Sequence, residues 1–175
     1  MKVKFLSIKE ITEIGILSAL GLLLAYLSKI FFQMPQGGNI GLDMIPVFFL
    51  SLKRGIKSGI ILGAIVGFLL LLTDYFVIHP FQLLLDYPFA HMALGLAGLS
   101  VFKNRYWILG VIVGAFGRFI FHYISGILYF TQFAPKGMNV HFYVASYILS
   151  HLIPGTIVAI LVLYLLRRRK EIWRI

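Results

Sequence analysis

Cysteine is absent from the 175 residues. That excludes disulfides, thiolate chemistry and cysteine-based metal sites. Charge is also scarce: 13% of the residues are charged, with 6 acidic side chains against 16 Lys and Arg. An average soluble domain carries about 25% charged residues. No GxxxxGK[ST] phosphate loop occurs, nor any low-complexity tract or evident repeat. These absences exclude a disordered chain, a collagen-like chain, a nucleotide-driven motor and an ordinary cytosolic enzyme. What fills the chain is apolar: 60% of it is hydrophobic and the mean hydropathy is +0.94. Soluble domains sit near ~45–50%. The net charge of +10 would suggest nucleic acid in a soluble protein. Here the basic residues cluster between apolar runs, which is the pattern of membrane topology and gives no reason to expect a nucleic-acid partner.

A helix that crosses the hydrocarbon core needs ~20 mostly apolar residues. Six spans are expected: roughly Ile11 to Phe32, a short one from Ile40 to Leu52, Ile56 to Leu72, Pro80 to Phe102, Trp107 to Phe130, and Phe142 to Leu166. They use nearly the whole chain, so residues 1–175 read as a single six-helix membrane domain, all-α and polytopic. The first apolar run is too long for a signal peptide and lacks an A-x-A site, so it is expected to be retained. Orientation follows from the basic residues. Lys2, Lys4 and Lys9, then Lys53, Arg54 and Lys57, then Lys103 and Arg105, then Arg167 to Lys170 all fall on one side of a six-span chain. The opposite side holds only Lys136 and the flanking Lys29. The positive-inside rule makes the basic side cytoplasmic, with both termini there.

The outer loops are then Gln33–Gly41, Thr73–His79 and Thr131–His141. In the first, Pro35 and the Gly37–Gly38 pair oppose helix, so the backbone there is irregular. Together with the shortness of span two, this suggests a loop folding over a cavity, although an ordinary exposed turn has the same composition. Counting ~1.5 Å of rise per residue places Asp86 roughly 9 Å in from the outer surface, His122 roughly 12 Å and His151 roughly 13 Å. Three ionisable side chains from three helices thus share one depth. Arg118, His122, Gly126 and Phe130 share a helix face by four-residue spacing, as do Tyr143, Tyr147 and His151, while Tyr87, Ala90 and His91 accompany Asp86. A carboxylate at such depth is costly and usually faces the bundle interior. A structural pair of Asp86 with Arg118 or His122 is the plain alternative. The cluster as a whole describes a pocket open to the outside, aromatic, with one anionic group, suited to a small flat cationic or polar ligand.

Other classes fit less well. The five histidines show no HxxxH or HxH spacing and no second carboxylate joins Asp86, so no metal site is expected. An intramembrane serine hydrolase would need Ser125 and His151 within reach, but the Gly two residues before the serine of rhomboid-type enzymes is missing. A channel is disfavoured because the helices below Asp86 and His122 are nearly all apolar. No catalytic residue or cofactor is therefore assigned. On span one, Gly15 and Ala19 are small residues four apart, a spacing that permits close helix approach either inside the bundle or to another membrane subunit.

Four segments carry a family resemblance over nearly the full length. Met34-Pro35-Gln36-Gly37-Gly38-Asn39 resembles an MPQGGS loop, and Asp43-Met44-Ile45-Pro46 with Lys53-Arg54-Gly55-Ile56-Lys57-Ser58-Gly59 resembles an MIP…RxGxKAG segment. His79-Pro80 through Leu83-Leu84-Leu85-Asp86-Tyr87 is similar to HPxQLLLDY. Arg118 through Gly126, with Phe133-Ala134-Pro135-Lys136-Gly137, resembles RxxxHxISG…FAPKG. These are motifs of the thiamine-specific substrate-binding subunit, or S component, of bacterial energy-coupling factor (ECF) transporters. The resemblance implies a multi-pass protein of the bacterial plasma membrane that captures thiamine from outside and is not an enzyme. It implies as partners a transmembrane coupling subunit and, through it, two ATPase subunits. It assigns the ligand cation to Asp86, followed by Tyr87. It assigns further contacts to Arg118, His122, Gly126, Phe130, Tyr143 and Tyr147, and it places Gln36, Gly37, Gly38 and Asn39 over the site. Gly15 and Ala19 match the face that meets the coupling subunit. Three features depart from the pattern, the last of them the absence of a residue that some relatives carry. Ile148 stands where the family has an Asn that contacts the pyrimidine, with His151 at a following Tyr position, and the first outer loop has no Trp. Either His151 compensates, or the ligand is a related heterocycle such as hydroxymethylpyrimidine.

Overall fold

Small residues decide how closely these helices approach. The computed structural model describes residues 6–34, 38–73, 77–102 and 105–173. Lys2, Lys4, Pro35, Gln36, Gly37 and Lys103 lie outside the described residues. The described residues form six helical rods. They are α1 (Ile8–Phe31), α2 (Met44–Arg54), α3 (Ile56–Thr73), a broken rod beginning with α4 (Pro80–Leu84) and continuing through α5 (Ala90–Leu94), then α6 (Trp107–Tyr129) and α7 (Val140–Arg167). Three of them, α1, α6 and α7, are long and apolar enough to cross a membrane, and α3 is a shorter apolar helix. Large apolar side chains such as Phe116, Leu128 and Leu161 cover their outer faces, as a lipid surround requires.

The helix ends follow local chemistry. Ser7 caps α1 by accepting from Glu10 N–H at 3.2 Å, and Asn139 caps α7 by accepting from Phe142 N–H at 3.2 Å. Gly55 joins α2 to α3 at φ +109°, a conformation that favours glycine. Span two begins at Met44 rather than Ile40, because residues before it turn through hydrogen bonds from Leu42 N–H to Ile40 O and Met44 N–H to Gly41 O.

α2 is the buried centre, with Met44, Val47, Phe48, Leu50 and Leu52 all inside. Lipid tails are as apolar as leucine, so burial here gains packing and not release from water. The packing is close. Gly63 of α3 lies against the His91 carbonyl, and a Cβ at Gly67 would sit 2.5 Å from the Pro88 Cα, so α3 meets the broken rod backbone to backbone. On α1 the inward stripe is Ile14, Ser18, Gly21 and Ser28, with Gly21 against Val66 of α3. Gly15 and Ala19 lie on the opposite, exposed side of α1, and nothing stands within 4 Å of a Cβ placed on Gly15.

The fourth span is not one continuous helix. Residues Leu85–Phe89 form a π-helical turn, and Gly95–Gly98 and Ser100–Phe102 form 3-10 turns. Pro88 is the cause of the first break. It has no N–H to offer the Leu84 carbonyl and its ring would collide there. The ladder widens instead, with Ala90 N–H donating to the Leu85 carbonyl five residues back.

The two ends of the bundle differ. At one, Glu13 pairs with Lys53 at 3.2 Å and Arg54 at 2.8 Å, and the Arg167 guanidinium lies between Trp107 and Trp173, 5.4 and 5.1 Å from their ring centres. This end gathers the start of α1, the end of α2, the start of α6 and the end of α7, which is where the sequence places the basic clusters. It is the cytoplasmic end by the positive-inside rule. At the other, His79 stacks on Tyr129 at 5.1 Å and Tyr123 meets His141 at 2.7 Å.

Candidate functional site

The π-turn carries the one carboxylate expected in the pocket. Such turns recur at functional sites because they displace side chains from the regular helix face. Asp86 is partly open, its side chain 17% exposed. Its Oδ2 accepts from Gln82 Nε2 at 2.7 Å and its Oδ1 lies 3.1 Å from His122 Nδ1. Of the two structural pairings possible for Asp86, the His122 one is present. Arg118 has other partners: its Nη1 donates to Asp43 Oδ2 at 3.0 Å and its Nε to His122 Nε2 at 3.2 Å.

Rings gather beside this carboxylate. The His122 and His151 rings meet edge to face with centres 6.5 Å apart, and Tyr147 meets His151 the same way at 5.3 Å. His151 Nδ1 lies 3.0 Å from the Tyr147 carbonyl, which can only accept. The proton therefore sits on Nδ1 and leaves Nε2 as an acceptor. Tyr143 and Tyr147, one turn apart, are half-buried. Phe130 closes α6, its ring 6.1 Å from Phe133 in the third outer loop.

The first outer loop is pinned over this cluster. Gln33 and Asn39 form an antiparallel bridge, Met34 N–H donates to Gly38 O at 2.7 Å, and the Ser28 hydroxyl donates to the Ile40 carbonyl. Gly38 rests on His151: a Cβ there would lie 3.0 Å from Nδ1. Of the four loop residues expected over the site, Gly38 and Asn39 are thus described and Gln36 and Gly37 are not.

Three of the expected contacts also have partners within the bundle. Gly126 is buried against Val144, so it serves the α6–α7 approach and its small size is explained by packing. Tyr87 accepts through its carbonyl from His91 Nδ1 at 2.6 Å. Arg118 lies behind His122, toward the cytoplasmic end, with its side chain 13% exposed. Sequence reasoning grouped His91 with Asp86 but gave it no role, and it missed Asp43 and Gln82 as parts of the site. Asp43 and His91 are almost wholly buried, 3% and 1% exposed, and Gln82 is 2% exposed. The helices below Asp86 are therefore less apolar than expected, because this polar layer continues inward. One available signal was the four-residue spacing of Gln82 to Asp86 and of Tyr87 to His91. Ile148, at the family's Asn position, is 3% exposed and belongs to the apolar core. The Ser125 hydroxyl is buried and has no hydrogen-bond partner among the described residues, so no base activates it. No group of three or more His, Asp or Glu residues could hold a metal ion among the described residues.

Comparison with known proteins adds four findings. Residues 11–173 match the model of the family described as thiamine transporter protein (Thia_YuaJ). The chain is 35% identical to the thiamine transporter ThiT of Bacillus subtilis, over 90% of this chain and 89% of that one. It is 30% identical to ThiT of Lacticaseibacillus paracasei, over 76% and 74% of the two chains. Its fold matches the solved structure of ThiT from Listeria monocytogenes with a TM-score of 0.80, at 20% identity, covering 94% of this chain and 96% of that one.

Proposed function

This chain belongs to the thiamine transporter protein family, and on that premise we propose that it captures thiamine between Asp86 and the rings of His122, Tyr147 and His151. It is a multi-pass protein of the bacterial plasma membrane, a transporter and not an enzyme. The observation that carries the site is the Asp86 carboxylate: both its oxygens face hydrogen-bond donors, and neither Lys nor Arg bonds to it among the described residues. Thiamine brings a ring cation and an aminopyrimidine. Asp86 supplies the charge, and the surrounding rings offer faces and edges for stacking. Phe130, Tyr143 and the side chain of Tyr87 complete the wall, with Gly38 and Asn39 above it. Arg118 acts from behind His122, and Gly126 acts through the spacing of α6 and α7. With Ile148 in the core, the hydrogen bond to the pyrimidine amine falls to His151 Nε2, an acceptor with no hydrogen-bond partner among the described residues.

Residues 1–175 act as one membrane domain with no nucleotide site of their own, so energy comes from partners. The exposed face of α1 around Gly15 and Ala19 suits a close helix contact with an ECF coupling subunit, which two ATPases would drive. Titration of the purified protein by calorimetry, with thiamine, hydroxymethylpyrimidine and riboflavin, tests the ligand. Tight 1:1 thiamine binding is expected. Preference for the neutral pyrimidine would keep the scaffold and overturn the cation role of Asp86.

A further inference from the structure

Asp43 stands where a helix-capping residue would stand, immediately before Met44, and it does not cap. Its backbone is already helical at φ −56° and ψ −24°, and its side chain makes no bond to the first turn of α2. The carboxylate points into the bundle instead. Its Oδ2 takes Arg118 Nη1 at 3.0 Å and lies 2.8 Å from His91 Nε2. His91 in turn reaches the Tyr87 carbonyl at 2.6 Å, and so grips the π-turn next to Asp86.

Arg118 is one helical turn from His122, which touches Asp86 directly. The Asp86 carboxylate therefore stands on the far side of the His122 ring from the Arg118 guanidinium. Were that guanidinium to swing onto Asp86, it would neutralise the charge that the ligand cation needs, because a bidentate Arg–carboxylate pair is a strong one. Resting on the reading of Asp86 as the cation's partner, we propose that Asp43 is a positioning residue for specificity: it holds Arg118 away from Asp86 and keeps that carboxylate available to a cationic ligand. The same placement aims Arg118 Nε at His122 Nε2, so His122 presents its proton from Nδ1 to Asp86 as a neutral donor.

The test is a charge-specific rescue. Thiamine affinity is measured by calorimetry on wild type, Asp43→Asn and the double variant Asp43→Asn/Arg118→Gln, with monodispersity checked for each. Asp43→Asn should weaken thiamine at least tenfold, and the double variant, which lacks the freed guanidinium, should bind at least threefold tighter than Asp43→Asn while staying weaker than wild type, because the Arg118 bond to His122 is lost as well. Removing both partners would relieve a purely structural ion pair as well, so each variant is also titrated with hydroxymethylpyrimidine, which carries no ring cation: a structural role would weaken both ligands equally, whereas positioning of the charge weakens thiamine far more. An unchanged Asp43→Asn affinity, or a folded double variant as weak as the single one, overturns the proposal. If Asp43→Asn alone does not fold, the double variant is compared with Arg118→Gln: thiamine affinities within threefold of each other support it, because Asp43 then has no guanidinium to hold, and a further tenfold loss or a failure to fold overturns it. A wild type that binds no thiamine would instead defeat the reading of the Asp86 site itself, whereas wild-type binding with no effect at Asp43 defeats only this inference.

Discussion

Arg118 donates from Nε to His122 Nε2 at 3.2 Å, and that bond determines which face of the imidazole is a donor. With Nε2 accepting, the ring proton is on Nδ1, 3.1 Å from Asp86 Oδ1. Gln82 donates to the other oxygen at 2.7 Å. Both donors are neutral, so they orient the carboxylate without cancelling its charge.

Replacing that charge should therefore cost affinity without disturbing the pocket. Asp86→Asn is expected to weaken thiamine by about 1–3 kcal/mol, the range for hydrogen bonds and contacts to charged groups. Calorimetry on the folded variant checks it, and an unchanged affinity would remove Asp86 from the ligand site.

The polar layer beneath is a different matter. Arg118→Met would leave the Asp43 carboxylate buried with its guanidinium partner gone, and breaking a buried ion pair costs about 3–5 kcal/mol. A clear drop in the thermal midpoint of the ligand-free protein is expected. An unaltered midpoint would mean that water reaches Asp43, contrary to its 3% exposure.

How far this was readable without coordinates depends on the kind of interaction. Rod boundaries followed from apolar runs and basic clusters, and α3 and α6 lie within about a residue or two of their expected limits. The depth count brought Asp86, His122 and His151 together because rise per residue is nearly constant in a helix. The break in the fourth span was not legible in the apolar run, where Pro88 forces a π-turn. Asp43 was hidden for another reason: the sequence places it inside the second apolar span, and only tertiary contacts show that its side chain faces His91 and Arg118. Gly126 illustrates the converse, since a glycine on the pocket stripe gives no hint that its free side faces Val144.

Two glycines should respond in opposite ways. Gly63 lies against the His91 carbonyl, so Gly63→Ala must push α3 from the broken rod and lower stability. Gly15 has open space, so Gly15→Leu should leave the fold and thiamine binding intact while impairing uptake in cells that carry the ECF partners. Normal uptake with Gly15→Leu would exclude this face from the coupling contact.

Ser125→Ala separates transport from the discarded hydrolase chemistry. The Ser125 hydroxyl is buried and has no hydrogen-bond partner among the described residues, so its removal relieves a desolvated polar group. Thiamine affinity should match wild type and stability should stay equal or rise slightly. A loss of transport activity with binding intact would give Ser125 a role that its surroundings do not suggest.

On this reading His151 answers for the missing asparagine. His151 donates from Nδ1 to the Tyr147 carbonyl and keeps Nε2 as an acceptor beside His122. His151→Ala removes that acceptor and also the ring on which Gly38 rests, so thiamine binding should fall at least tenfold. His151→Asn keeps a short polar side chain and should recover part of the loss. Restoring the family residue at the neighbouring position should not help, because Ile148 lies in the core at 3% exposure and an Asn there would bury an unsatisfied amide at a cost of about 1–3 kcal/mol. Parallel titrations of the two His151 variants and of Ile148→Asn decide between the two positions. Tighter thiamine binding by Ile148→Asn, with His151→Ala unaffected, would show that the pyrimidine lies against residue 148 and not against His151.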